Sequence, residues 1–588
     1  MRLLDTWTGQ FVDKDPKETG YAILSHTWDN VEQSYQDVRF IQSSYNDQGR
    51  LHLLGLPARL ARRLVRKSWD VGQSLLRSAS GPCTKAHHYL RSGVRLLTRH
   101  GSRSSGTPMI SPPQSTYSSP VHRPSTPRPV STPSAVTSIW SDPRLSPKIR
   151  DACRVAREAG HRYLWIDSCG IDKTSSSELT ESINSMYKWY GLAEVCYAYL
   201  ADVPSGEDPR ADQSAFRESR WHKRGWTLQE LIAPFDVVFL AEDWTQIGTK
   251  LALVDLVEEI TGIPEGALIH AKSLDEFSVA QRLSWAAQRE TTREEDRAYS
   301  LLGIFNINMP TLYGEGARAF RRLQEEILRR IPDLSLFAWE AYIYEDFDTD
   351  HDLIQALQNV RWFAIRKRGE TPLDARISSF ARGGKIKAIP HDDVFRRLEL
   401  TDLPAPEYTF TPHGIRTKLP VIPLSLALPQ QPAEHDDKES HWYLVILGCE
   451  HDDYPGALLG QACVIPPSES GVEYLYQGLM AVMPIPQRGA VWPDIFPLSP
   501  ATIERYREHI QVKTVYISQP ERTTPLSKDV LRRPHKTLNL VLLKETRDAL
   551  RAQGYTAELQ GPEEDHPTTY WLTLANDDQT ITVEYQYT

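Results

Sequence analysis

The sequence predicts an α/β fold, a parallel sheet covered by helices on both faces, followed by a mostly β domain. Three observations carry this. Short, nearly continuous apolar runs, YAILS, YLWID, VCYAYL and FDVVFL, recur through the first 240 residues. Helical patterns separate them, as crossover connections between parallel strands require. Beyond about residue 340 the texture changes to short β-rich runs divided by Pro, Asp and Gly.

Residues 21–25 are the first expected strand. Residues 147–159 read as a helix that stops at Gly160, the usual place for a glycine just past a helix end. Strands follow at 163–167, 195–200 and 235–240. Between the first two of these lies a helix over 178–190, with Leu179, Ile183, Met186 and Tyr190 on one face. The pattern over 278–330 is helical, broken at Met309-Pro310 and at Gly314/Gly316. The stretch from Gly314 to Ala319 formally matches a dinucleotide-binding GxGxxA. It follows a broken helix rather than a strand, so it reads as a glycine pair at a helix start. Arg293–Arg297 reads as an ion-pair-rich helix face of little energetic consequence. In the β-rich part, strands are expected within 441–450, 472–482, 513–519, 537–543, 570–575 and 580–587, forming one domain over 341–588.

Composition sets the outer limits. The chain has 588 residues, 67 Lys and Arg against 76 Asp and Glu, and a net charge of −9. With 40% hydrophobic residues, wholesale disorder is excluded. No apolar run approaches the roughly 20 residues of a membrane span. The opening MRLLDTWTGQFVDKD lacks the apolar core of a secretory signal, so a cytoplasmic location is expected. Cys83, Cys153, Cys169, Cys196, Cys449 and Cys463 are scattered without a CxxC pair, which reads as reduced thiols and no metal site. Overall acidity argues against a specific nucleic-acid partner. The average conceals an asymmetry: residues 50–141 hold fourteen Lys and Arg against one acid, Asp70, a net of +13 that leaves −22 elsewhere. Residues 56–78 place Leu60, Leu64, Val71 and Leu75 at helical spacing among arginines, and 25 of the 41 residues in 101–141 are Ser, Thr or Pro. This segment reads as an insertion ending in a disordered linker. It is either a solvated tether or a weak contact for an anionic membrane surface or a partner.

Ligands of open α/β sheets bind beyond the carboxyl ends of the strands. Ser25-His26-Thr27-Trp28 follows the first strand, Asp167-Ser168-Cys169 the second, and RWHKRGWTLQEL (220–231) the third. Trp226 and Glu230 are four apart and share a helix face. A carboxylate beside an aromatic surface there suits stabilising a developing cation. The competing role for Glu230 is a capping box with Thr227. Trp226 is a packing residue or an aromatic platform, and Asp167 a ligand for a hydroxyl or the cap of a turn. Cys169 and His26 admit a thiol-nucleophile reading, against an inert buried thiol and a structural histidine. No HExxH, GxSxG or Walker A sequence occurs.

Together, YAILSHTW, YLWIDSCGIDK with ELTESINSMYKWY, and RGWTLQELIAP resemble the three blocks of the fungal heterokaryon-incompatibility (HET) domain. SWAAQRETTREEDRAYSLLGIFNINMPTLYGEGARAFRRLQEEI resembles the extension that follows it in many such proteins. The resemblance spans about 1–49 and 142–340 and implies a role in fungal non-self recognition and regulated cell death. HET domains are held to be distant relatives of TIR domains, which implies a TIR-like doubly wound sheet. Plant TIR domains carry a pattern similar to SxWCLxEL, whose glutamate cleaves NAD; GWTLQEL places Trp226 and Glu230 at that spacing, with Thr227 at the Cys position. The resemblance thus implies NAD as a substrate rather than a bound cofactor. It implies Glu230 as the key carboxylate, with Ser25, His26, Trp28, Asp167, Cys169 and Trp226 around the ligand. It also implies self-association, with a non-enzymatic assembly that recruits signalling partners as the alternative.

Overall fold

In the computed structural model, the described residues are 1–28, 32–53, 138–339, 362–366, 371–373, 376–400, 405–427, 442–466, 468, 470–482, 495–518, 551–560, 569–576 and 580–586. The basic helix expected at 56–78, nearly all of the Ser/Thr/Pro-rich stretch and the strand expected at 537–543 lie outside them.

Four strands form the parallel centre of the first sheet: β3 (Ala22–His26), β4 (Tyr163–Ile166), β5 (Val195–Tyr199) and β6 (Val237–Leu240). β3 pairs in parallel with both β4 and β5, and β5 with β6. The spatial order of the four is therefore second, first, third, fourth, with the direction of winding reversing between β3 and β5. All four expected strands are present, each to within two residues. The sheet is nonetheless mixed rather than purely parallel. β1 (Arg2–Asp5) runs antiparallel to β4 and carries β2 (Phe11–Asp13) at one edge, and β7 (Gln246–Thr249) runs antiparallel to β6 at the other. These strands have three or four residues and partly polar outer faces, so they leave no apolar run in the sequence.

Strand alternation assigns each side chain to one of two cores. Ile23, Trp165, Cys196, Ala198, Val237 and Phe239 face one side. They pack with Ile183, Met186 and Tyr190 of α4 (Ser176–Leu192), and with Leu228, Leu231 and Ile232 of α5 (Thr227–Ile232). Ala22, Leu24, Leu164, Ile166, Tyr197 and Leu240 face the other. There they meet Val38 and Ile41 of α1 (Tyr35–Leu53), and Ile149, Ala152, Cys153 and Ala156 of α2 (Pro147–Glu158). Helices cover both faces, which is why all four strands read as continuous apolar runs. Past α2, Gly160 adopts φ +92°, a left-handed conformation that a side chain would strain. The expected strand over 163–167 ends one residue early, because Asp167 opens the single-turn α3 (Asp167–Gly170).

The helical region is broken into α6 (Val279–Ala287), a short turn at Asp296–Tyr299, and α7 (Arg318–Arg330). Arg293–Arg297 is not an ion-paired helix face. The Glu295 carboxylate accepts the backbone N–H groups of Gly314 (2.7 Å) and Gly316 (3.1 Å), while Asp296 is buried and accepts the Tyr313 hydroxyl at 2.9 Å. The glycine pair, at φ +104° and +60°, forms the loop that Glu295 clamps ahead of α7.

The β-rich part contains an antiparallel sheet of eight strands: β8 (Trp362–Arg366), β10 (Thr409–Thr411), β11 (Gly414–Pro423), β12 (Trp442–Leu447), β14 (Leu458–Val464), β15 (Tyr476–Val482), β16 (Ile495–Leu498) and β17 (Gln511–Ile517). β9 (Ile386–Ala388) and β13 (Cys449–His451) make a separate pair. One face of the large sheet packs on α8 (His391–Leu398) and α9 (Pro500–Tyr506). The other joins the core that begins at Leu3, so a single hydrophobic core runs from Leu3 to Ile517. Polar ties reinforce it: Ser278 Oγ donates to the Ile386 carbonyl (2.6 Å), and Arg321 to Thr371 Oγ1 (2.9 Å) and the Ser518 carbonyl (3.0 Å). The chain divides into compact units between Pro520 and Glu521, and residue 340 falls inside the first. In the second unit, β18 (Thr556–Gln560), β19 (Thr569–Ala575) and β20 (Thr580–Gln586) form an antiparallel meander. No helix among the described residues is long and apolar enough to cross a membrane.

Ile23 sits wholly buried in the middle of β3, where its side chain meets helices of the crossover layer. Ile23→Ala should cost about 2–5 kcal/mol of stability, read as a lower midpoint in urea denaturation; a change below about 0.5 kcal/mol would mean that β3 is not central to this core.

Candidate functional site

The carboxyl ends of β3, β4 and β5 meet where the strand order reverses, the position at which doubly wound sheets hold ligands. Ser25 and His26 close β3, Asp167 follows β4, and Glu230 projects from α5. Because adjacent residues of a strand point to opposite faces, Ser25 and His26 serve two different clusters.

Ser25 belongs to the face of Ile23. Its hydroxyl donates to Glu230 Oε2 at 2.5 Å and accepts the Trp221 indole N–H at 2.8 Å. Ser25 is fully buried and Glu230 only 4% exposed. Burial, followed by the charge of Asp167, pushes the Glu230 carboxyl up to about 7, against the opposing pull of Ser25, His26 and Arg224. The capping role for Glu230 is excluded. Thr227 Oγ1 instead donates to the carbonyls of Trp221 (2.5 Å) and Arg224 (2.9 Å), and α5 has no side-chain cap.

His26 belongs to the opposite face. Its Nε2 lies 3.0 Å from Asp167 Oδ1, and its Nδ1 lies 3.3 Å from the Thr27 carbonyl and 3.4 Å from Lys148 Nζ. Lys148, from α2, also pairs with Glu32 at 2.5 Å. Asp167 Oδ2 accepts the Trp28 indole N–H at 2.9 Å. Burial alone would raise the Asp167 carboxyl, but His26, Lys173 and Trp28 together bring it down to about 2. Two carboxyls at one sheet edge are thus held in different states: Asp167 ionised, Glu230 half-protonated near neutral pH. Ser25 hydrogen-bonds to Glu230 rather than to His26, so a serine–histidine–aspartate relay is not assembled.

Two expected site residues lie elsewhere. Cys169 is 1% exposed in the core on the α2 side, where burial raises its thiol to about 12; an inert thiol, not a nucleophile, is the result. Trp226 packs against the main core, and its side chain hydrogen-bonds to the buried Asp296 carboxylate. Trp28, half-exposed at the edge, is the aromatic surface near Asp167.

The structure adds residues that sequence reasoning passed over. Trp221 fixes Ser25. Arg289, from the loop after α6, donates to the Arg224 carbonyl (3.0 Å) and Thr227 Oγ1 (3.1 Å). Its Nη2 is buried without a hydrogen-bond partner, as are both ring nitrogens of His222 and the amide nitrogen of Gln229. Trp221 and His222 were visible in RWHKRGW as a polar-aromatic cluster. Arg289 lies nearly sixty residues downstream of Glu230 and leaves no local signal.

A family model described as heterokaryon incompatibility protein (HET) matches residues 124–214, covering β4, α4 and β5. Over 185 residues the chain is 47% identical to vegetative incompatibility protein HET-E-1 of Podospora anserina. The chain carries a heterokaryon-incompatibility domain. The aligned stretch is 31% of this chain and spans only 14% of the length of HET-E-1. The HET match ends at residue 214, short of Glu230. A second family model, a domain of unknown function (DUF8212), matches residues 318–521, from the start of α7 through the large β sheet. No solved structure matches the chain.

The electrostatics of this strand edge predict a pH signature. The Glu230 carboxyl is raised above its unfolded value, so it has no effect on stability below about pH 4. As pH rises from about 4.5 to 7 the unfolded chain ionises while the folded one keeps its proton, and about 3 kcal/mol of stability is lost. Glu230→Gln should remove this slope and make the protein more stable than wild type above pH 7; equal stability at pH 8 would contradict the raised carboxyl. Asp167→Asn should bring the Glu230 titration below 7 but leave it above the ordinary glutamate range, since burial is the larger cause. Carboxyl-carbon NMR across pH 4–9 checks this; an unmoved midpoint would uncouple the two carboxyls.

Proposed function

We propose that this HET domain protein acts in fungal non-self recognition and the regulated cell death tied to it, and that Glu230 breaks the nicotinamide–ribose bond of NAD. The reading rests on one observation: a buried carboxyl, poised near pH 7, held by Ser25 at the carboxyl edge where the strand order reverses. In this reaction the bond from ribose C1′ to the ring nitrogen breaks and its electron pair stays on nicotinamide. The leaving base is therefore neutral, and no general acid is needed. The ribose becomes oxocarbenium-like, as in glycoside hydrolysis, and water adds to C1′ and releases a proton. Ionised Glu230 would exchange its hydrogen bond from Ser25 for the ribose hydroxyls and stabilise the growing positive charge. Asp167, already ionised, would orient a hydroxyl. Both Ser25 and Glu230 are closed off, so the edge must open, and self-association is the proposed trigger.

That same closure favours a second reading. Ser25, Trp221 and Glu230 satisfy one another inside the core, which suits a rigid non-enzymatic module that self-associates and recruits signalling partners.

Full-length protein, dilute and in a crowded or oligomerised form, should release nicotinamide from NAD, and Glu230→Gln should lower the rate by about 100-fold or more, as expected for loss of one electrostatic group. The glutamine variant should keep its fold at pH 8, and circular dichroism of it there separates loss of activity from loss of structure. Undiminished release by Glu230→Gln would end the catalytic assignment. No release in any assembled form, with Glu230→Gln still toxic in cells, would leave the assembly module.

A further inference from the structure

The outer rim of the same edge carries two cations with no side-chain hydrogen bond to Ser25 or Glu230 among the described residues. Trp28 is 37% exposed, and its ring plane is fixed from the side by the indole hydrogen bond to Asp167. Lys173 Nζ lies 3.6 Å from the Trp28 ring centroid, and the Arg224 guanidinium 5.9 Å from it. Neither cation forms an ion pair with a carboxylate among the described residues. Lys173 has one long hydrogen bond to the Ser168 carbonyl (3.4 Å). Arg224 is held only by its backbone, its carbonyl accepting from Thr227 and Arg289 while its guanidinium rests beside the indole. Asp167, the one carboxylate among the described residues bonded to Trp28, lies within hydrogen-bond distance of His26 and accepts from Trp28.

Two cations beside an aromatic ring gain a modest cation–π attraction. They remain free to form stronger charge-assisted hydrogen bonds with phosphate oxygens. Arg224 also links the rim to the interior, since its charge acts on Glu230. Its segment leads directly into α5, which carries that carboxyl.

We infer that Trp28, Lys173 and Arg224 form a binding site for a phosphorylated nucleoside: a base stacks on the Trp28 indole while Lys173 and Arg224 hold the phosphates. This rests on the proposed nucleotide chemistry and names the groups that recognise the ligand before any bond breaks. Bound there, the phosphates would give both cations the anionic hydrogen-bond partner that the described residues do not supply. The class of ligand follows from the chemistry of the rim. An unphosphorylated nucleoside would offer these cations no anion to hydrogen-bond, and inorganic phosphate would leave the indole uncovered.

Calorimetric titration of the full-length Glu230→Gln protein, which binds without turnover, tests the site with NAD and adenosine as probes. NAD should bind at least about tenfold more tightly than adenosine, and rising salt should weaken it. The double change Lys173→Ala with Arg224→Ala should reduce NAD affinity by about tenfold or more while leaving adenosine binding unchanged. Trp28→Ala should weaken both. Circular dichroism of each variant separates lost binding from lost fold, and Lys173→Arg should retain NAD binding. NAD affinity unaffected by the double change, no NAD binding, or adenosine binding as tightly as NAD would each overturn the assignment. The two proposals fail separately: NAD bound at the rim but never cleaved by wild type removes only the reaction. Cleavage with unchanged KM in the double variant removes only the rim.

Discussion

The hydrogen bond from Ser25 Oγ to Glu230 Oε2 fastens the end of the first parallel strand to a helix two hundred residues later in the chain. Much of the edge depends on it. It fixes α5 against β3, it fills the space into which the Trp221 indole donates, and it keeps a carboxyl inside the core that solvation alone would draw outward. Burying that carboxyl is unfavourable, and the protein accommodates it by protonation near neutral pH rather than by pairing it with a cation. Arg289 lies close enough to feel the Glu230 charge, yet hydrogen-bonds to Arg224 and Thr227 instead.

Strand alternation then divides the labour of two neighbouring residues. Ser25 works with Glu230 on one face, and His26 works with Asp167 and Lys148 on the other. In the sequence, His26 and a distant Cys169 admit a thiol-nucleophile reading beside that of a structural histidine and an inert thiol. The pleat places the hydroxyl and the imidazole on opposite sides of the sheet, and Cys169 falls into the apolar layer beneath. What remains is a pair of carboxyls in contrasting environments, one stripped of countercharge and one surrounded by donors.

The central sheet was legible because burial on both faces imprints itself as unbroken apolar runs, and the four parallel strands left such runs. The antiparallel strands β1, β2 and β7 were not: each has only three or four residues, and β2 and β7 are partly exposed. In the β-rich part, Trp442–Leu447 stood out for the same reason as the central strands, whereas Gly414–Pro423 mixes Arg, Lys and two prolines and did not. At the site, Ser25, His26, Trp28, Asp167 and Glu230 were legible from their place after strands. Trp226 misled because helical spacing beside Glu230 says nothing about which layer an indole joins; Asp296 decided that. Glu295 misled in the opposite sense: a run of alternating charge looked solvated, and only the tertiary fold places two glycine N–H groups against its carboxylate. Contacts between residues far apart in sequence, such as Arg289 to Thr227, leave no local pattern to read.

The core that extends from Leu3 to Ile517 joins two segments that different family models match. A cut near residue 340 would therefore pass through continuous packing, and each half would present an apolar surface to water. The mechanical consequence is that the large β sheet and the edge that holds Ser25 and Glu230 share one reservoir of stability. A molecule that binds only the folded sheet would stabilise the whole of this core, the strand edge included, by mass action.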